Sequence, residues 1–384
     1  MKFGKTLDSQ WPTREQKLLL RAALLQGEAA LEAWQHWQEA VDIEDHDAES
    51  YHLFPLVYRN LSAHEVADSV MVRLKGVYRR QWCENQLLFS KFAPIFQSLQ
   101  NAGIKTLLLN DAALAAYYPD NGCRYLPHLD ILVPTTDARL AINFLETMGF
   151  TPNAALSDQL LSVYQGLGFK DRAKQPLNLY WHLFSTCFQD RADDEFWQAA
   201  VSTQLGEVST YILNPTDQLL SLCVQVYSWN KVSPILWLTD AMMILNSCGG
   251  EIDWERLIDR AQKYQLILPL STMLCQLQEI LNPPIPSSTL AKIQTIKVSL
   301  FEQLEYQVKT SKAIPVIGAL LVRYFQYLRS VNTANVPFKF LGFAKYLQYV
   351  WELEHLGQVP AQAAMRVMSR MRRELLRAFS TNKG

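Results

Sequence analysis

Apolar positions between residues 14 and 100 recur at helical spacing. Leu18, Leu19, Leu20, Ala23 and Leu24 fall on one face, and Ala30, Leu31, Trp34 and Trp37 carry the stripe into a second segment. The acidic stretch from Asp42 to Asp47, which includes His46, reads as a solvated loop. A long helix is predicted from about Val66 to Gln100, with Tyr78, Trp82, Leu87, Leu88, Phe92, Ile95 and Phe96 as its buried face.

The pattern changes after Gly103. The run Ile104-Lys-Thr-Leu-Leu-Leu suits a buried strand and is too short for a helix. Asn110-Asp111 follows, with residue types that favour a helix N-cap, and then a small-residue helix from Ala112 to Tyr118 stops at the turn signal Pro119-Asp-Asn-Gly. Leu129-Asp-Ile-Leu-Val predicts a second strand, and a helix from about Asp137 to Met148 closes on Gly149. Residues 160–169 are ambiguous, whereas Leu177-Asn-Leu-Tyr-Trp-His-Leu alternates as a strand does. Beyond Asn214-Pro-Thr-Asp217 the chain is helical again, with Asn214 or Thr216 as candidate cap. Asn282-Pro-Pro-Ile-Pro-Ser-Ser is the clearest linker. The expected organisation is a helical region over 1–100, an α/β domain over 101–213 and a helical region over 214–384, with a candidate break at 282–288.

Composition narrows the classes. With 49% apolar and 19% charged residues the chain is ordered and globular, and its length allows two or three subdomains. A net charge of −1 gives no global attraction to nucleic acid or anionic membrane. The six cysteines form no CxxC pair, which points to reduced, buried thiols and a cytoplasmic setting. Neither a signal peptide nor a transmembrane segment is expected, since the longest apolar run, Ala313 to Val322, contains Pro315 and Gly318.

Nucleotidyl transfer needs carboxylates side by side at a strand end, where they hold magnesium against a triphosphate. Alternate strand residues share a face, so Asp-x-Asp supplies two ligands, and a neighbouring strand supplies a third. Helix N-terminal N–H groups receive the phosphates.

Five segments, in order, resemble the uncharacterised nucleotidyltransferase-like family of the polymerase-β-like superfamily: Leu109-Asn-Asp-Ala-Ala-Leu-Ala, Tyr117-Tyr-Pro-Asp120, Arg124, His128-Leu-Asp-Ile-Leu-Val133 and Leu177-Asn-Leu-Tyr-Trp181. His52 to Leu61, Leu236-Trp-Leu-Thr-Asp240 and Ile252-Asp-Trp254 extend the likeness across residues 52–265. The resemblance implies an α+β fold, a central nucleotidyltransferase-type mixed sheet with helices, flanked by N-terminal and C-terminal helical regions. It also implies transfer of a nucleoside monophosphate from a nucleoside triphosphate to an unknown acceptor, with a divalent metal, magnesium or manganese.

The departures fall on the chemistry. His128 stands where the family has the first carboxylate, Asn178 replaces the outlying one and Tyr180 the neighbouring histidine, while Asn110-Asp111 replaces Lys-Gly. Only Asp130 is kept. Asp111 adds negative charge where a phosphate would bind. Two readings follow. In an altered enzyme, Asp130 and His128 hold the metal, Asn178 orients them or the acceptor, and Asn110, Asp111 and Arg124 line the triphosphate. In a pseudoenzyme, the old cleft or its flanks bind a ligand or partner protein.

Arg366, Arg370, Arg373 and Arg377 share one face of a C-terminal helix, opposite Met365, Met368, Met371, Leu375, Leu376 and Phe379. Such a basic amphipathic helix suits a membrane surface, a partner groove or a nucleic-acid backbone, or it packs on the body with solvated arginines. The tryptophans read as core, and His182 as a residue without a catalytic role.

Overall fold

The structure is a computed structural model, and it describes residues 11–154, 161, 164–184, 191–226, 233–310, 316–330, 339–351, 353–366 and 368–369. It is α+β. Five helices precede the sheet: α1 (Arg14–Leu24), α2 (Glu28–Ala40), α3 (Ala48–Tyr51), α4 (Phe54–Ala63) and α5 (Val70–Asn101). Thr13 and Gln16 form a capping box at the start of α1, and the stripe Leu19, Leu20, Ala23 packs inward at 4% exposure or less.

The buried stripe of α5 runs through Leu74, Gln81, Asn85, Leu88, Phe92, Ile95, Phe96 and Leu99. Trp82 and Leu87, expected on that face, stand exposed at 42% and 69%. Each lies about 100° round the helix from Gln81 or Leu88, which turns it to the outside.

The sheet has seven strands: β1 (Leu107–Leu109), β2 (Leu129–Leu132), β3 (Thr151–Pro152), β4 (Gly166–Lys170), β5 (Pro176–Tyr180), β6 (Val201–Leu205) and β7 (Val208–Ile212). Their order is β3-β4-β5-β2-β1-β7-β6, and the sheet is mixed. β1 runs antiparallel to β2 and parallel to β7, and β2 runs parallel to β5. Helix α6 (Asn110–Leu114) follows β1 directly, and α7 (Ala138–Thr147) ends on Gly149 at φ +89° as the glycine predicted. The ambiguous stretch supplies β4.

After the short helix α8 (Asp194–Gln198), the C-terminal part begins with α9 (Pro215–Val226) and α10 (Pro234–Cys248). Asn214 caps α9 by accepting the Asp217 N–H at 3.1 Å. Helices α11 (Trp254–Lys263), α12 (Ile267–Ile280), α13 (Ser287–Thr295), α14 (Leu300–Thr310), α15 (Val316–Ser330) and α16 (Lys339–Val350) follow. One apolar core joins the N-terminal helices, the sheet and the helices through Ile293, and Ile285 of the Pro-rich 282–288 stretch contributes to it while Asn282, Pro284 and Pro286 are exposed. A second small cluster gathers Tyr327, Tyr346, Leu347, Trp351 and Val359.

Trp34, Trp37, Trp181 and Trp237 are each at most 1% exposed. Among the described residues, no helix is long and apolar enough to cross a membrane. Of the C-terminal basic stripe, Arg366 rests 5.0 Å from the Trp351 ring, while Met365 and Met368 are exposed. Arg370, Arg373, Arg377, Met371, Leu375, Leu376 and Phe379 lie outside the described residues.

Candidate active site

Strand register brings the candidate residues together. Leu109 of β1 lies opposite Asp130 of β2, and Asp130 lies opposite Asn178 of β5. Asp130 therefore sits in the middle strand of three, with the exit of β1 on one side and Asn178 on the other. The two-residue period places His128 on the same face.

Asp130 is only 3% exposed, and its carboxylate is surrounded by donors. The Asn178 amide donates to Oδ1 at 2.8 Å, the Asn110 amide to Oδ2 at 2.5 Å, and His128 Nε2 lies 3.2 Å from Oδ1. Asn110 reaches it because the backbone takes a left-handed conformation there, at φ +48°, as β1 turns into α6. Its amide thus serves the carboxylate, and α6 already includes Asn110, with Leu109 at the N-cap position the sequence assigns to Asn110-Asp111. Burial of a carboxylate in this way is tolerated because both oxygens are hydrogen-bonded.

The hydrogen bond to Asp130 raises the pKa of His128 above the ordinary histidine value, helped by the charges of Asp130 and Asp111 and opposed by burial. Burial, reinforced by Asp130 and Asp111, pushes the Tyr180 phenol far above its usual range, so it stays a neutral hydroxyl.

Two glycines of β4 leave room for this arrangement. Gly168 faces Asn178 in register, and a Cβ there would meet the Asn153 amide at 2.5 Å and Asn178 Oδ1 at 3.2 Å. Gly166 faces Tyr180 in the same way, with a Cβ meeting the ring at 2.6 Å. Glycines at period two in a stretch of uncertain periodicity are the signal that would have found them.

Arg124 and Asp111 form the next layer. The Arg124 guanidinium makes a bidentate pair with Asp240 of α10, Nε to Oδ1 at 2.7 Å and Nη2 to Oδ2 at 2.8 Å. Nη2 also lies 2.8 Å from Asp111 Oδ1, and Nη1 donates to the Tyr125 carbonyl at 3.0 Å. Tyr118 donates its hydroxyl to Asp240 at 2.7 Å, and Asn85 of α5 donates to the Arg124 carbonyl at 2.7 Å. Arg124 is thus occupied by protein carboxylates, and Asp240, a residue of the family-like Leu236-Trp-Leu-Thr-Asp240 segment, is its principal partner. Burial raises the pKa of Asp111, with Asp130 and Asp240 adding to the effect and Arg124 opposing it.

These donors do not fit magnesium. The one carboxylate at the strand end already accepts from three side chains, Asp111 is tied to Arg124, and the remaining groups are an imidazole and amides. Among the described residues, no group of three or more His, Cys, Asp or Glu is placed to hold a metal ion.

A cleft of about 190 Å³ opens beside this cluster. Asp111, Arg124, Tyr125 and Pro127 line it together with His52 from the N-terminal helices and Leu236 and Thr239 of α10. Asp130, His128, Asn178 and Asn110 are not among its lining residues. The His52 and Tyr125 rings stack at 4.5 Å, and burial, with Arg124 nearby, lowers the His52 pKa. His182 lies elsewhere, buried against Asp193 at 3.0 Å, where the carboxylate also accepts the Leu183 N–H.

Among solved structures, the chain is similar to an antigenic nucleotidyltransferase-like protein from Paracoccidioides brasiliensis. The identity is 11% and the TM-score 0.34, over 55% of this chain and 94% of that one. No curated protein matches the chain. The model of a family described as uncharacterised nucleotidyltransferases matches residues 36–282, well over half the length, and the chain belongs to that family.

Proposed function

We propose that this protein is a nucleotidyltransferase-family member that has given up metal-dependent nucleotidyl transfer and acts as a ligand- or partner-binding module. One observation carries the reading: the only carboxylate kept at the strand end, Asp130, has both oxygens taken by Asn110, Asn178 and His128. A metal site keeps carboxylate oxygens open towards the ion. Here amide and imidazole protons fill those positions. The occupation of Arg124 by Asp240 and Asp111 supports the same reading, since a triphosphate would have to break that network to use the guanidinium.

Calorimetric titration with each of the four ribonucleoside triphosphates, with magnesium, with manganese and without metal, tests this. The expected result is no metal-dependent saturable binding. Metal-dependent binding that disappears in Asp130→Ala would overturn the proposal. It would favour a transferase in which His128 and Asp130 share a softer ion such as manganese and an acceptor remains to be found. A membrane surface engaged by the C-terminal basic helix is a separate reading, tested by vesicle binding with and without residues 363–384, and a protein partner is sought by pull-down.

A further inference from the structure

The cleft between His52, Asp111, Tyr125, Pro127, Leu236 and Thr239 brings residues of all three parts of the chain to one place, which is where small-molecule sites form. Its volume, about 190 Å³, is small against the roughly 300–1,000 Å³ of pockets that take drug-sized ligands. It suits a fragment-sized group and not a whole nucleoside triphosphate.

Asp111 is the carboxylate of the lining and Arg124 its guanidinium, and Arg124 is matched from behind by the bidentate pair with Asp240. Asp111 Oδ1 is held by Arg124 at 2.8 Å, whereas Oδ2 has no hydrogen-bond partner among the described residues. The Asp111 side chain keeps 25% of its surface exposed, and it lines the cleft. The Tyr125 ring, stacked on His52, lines the same cleft and offers an aromatic wall. A carboxylate oxygen without a partner next to an electron-rich ring is the recognition chemistry of an ammonium group.

We propose that this cleft binds a small organic cation, a primary ammonium carried on a compact apolar or aromatic body, through Asp111 Oδ2 and the Tyr125 ring. The proposal deepens the binding-module reading of the same region and rests on it for the absence of a competing triphosphate.

The test uses the full chain and three probes of nearly equal shape: benzylamine, benzyl alcohol and benzoate, titrated at neutral pH by ligand-observed NMR. Benzylamine should bind saturably, benzyl alcohol about tenfold more weakly or worse, as expected for loss of one charge-assisted hydrogen bond, and benzoate not measurably. In Asp111→Asn the preference for amine over alcohol should vanish, and in Tyr125→Leu benzylamine affinity should fall several-fold. Equal binding of amine and alcohol, a preference for benzoate, or no benzylamine binding would overturn the proposal, and the three-probe comparison on the unmodified chain needs no variant to fold. The outcomes are separable from those of the triphosphate titration, which is read through Asp130. Amine binding alongside metal-dependent triphosphate binding would sink the binding-module reading alone, and the absence of both would sink this proposal alone.

Discussion

Asn178 and Asp130 are direct register partners across β5 and β2, and the amide of the first donates to the carboxylate of the second at 2.8 Å. In a strand pair built for metal, two carboxylates in this relation would repel each other until an ion arrived. With an amide in one position, repulsion becomes a hydrogen bond.

That exchange has a measurable sign. Removing a carboxylate from a site poised for metal relieves repulsion and tends to stabilise the metal-free protein. Here Asp130→Ala leaves the Asn110 and Asn178 amides and His128 without their acceptor in a buried place. It should destabilise by about 1–3 kcal/mol, the cost of orphaned buried donors, as read from urea unfolding. A more stable Asp130→Ala would mean that the cluster is strained by uncompensated charge.

His128 should titrate above its usual value of 6.5, because the hydrogen bond to Asp130 favours the imidazolium. The sign follows from linkage: stability from the pair is fully present below the unfolded histidine value and is lost as pH rises through the elevated folded value. NMR titration of the ring protons checks this, and the midpoint should fall in Asp130→Asn. An unmoved midpoint would leave the short His128–Asp130 distance without electrostatic weight.

Arg124→Lys should be nearly as harmful as Arg124→Ala, because an ammonium cannot reproduce the fork that spans both Asp240 oxygens while reaching Asp111. Breaking a buried pair by removing one partner costs roughly 3–5 kcal/mol, so thermal melting should show both variants strongly shifted. Asp111→Asn, which leaves the bidentate pair with Asp240 intact, should be much milder.

Returning the family's carboxylates with His128→Asp plus Asn178→Asp would place three acids around one point. The double variant should melt lower than the parent in chelator and recover with manganese or magnesium. Recovery with metal would mean that the backbone still holds the ancestral geometry; a melting point indifferent to metal would mean that the strand ends have drifted apart.

Much of this was legible in the residues. The succession β1, α6, β2, α7 and β5 follows from short apolar runs punctuated by Gly103, Pro119, Pro134 and Gly149, and the likeness to the family rests on the same segments, whereas β3, β6 and β7 are not among the predicted strands. The convergence of His128, Asp130 and Asn178 follows from period-two geometry once β2 and β5 are paired. The role of Asn110 was not legible, because a left-handed asparagine and a capping asparagine have the same letter. Nor was the Arg124–Asp240 pair, made between residues 116 positions apart by packing α10 beside the sheet. Periodicity reports which face is buried, and long-range polar partners leave no periodic trace. The same limit applies to Trp82 and Leu87, whose apolar character alone did not reveal which side of α5 they occupy.

The Arg124 network ties three stretches of the chain to one arginine. Its cation comes from the central unit, its main counter-ion from α10 and its carbonyl's amide donor from α5. A fragment ending after residue 213 would keep the guanidinium and lose Asp240, and the complementary fragment would carry a carboxylate with no cation to meet. Neither half would hold the pair by itself. Mixed together, the two should recognise each other through that single fork, as split reporters do, and the charge pair would act as the latch of their reassembly.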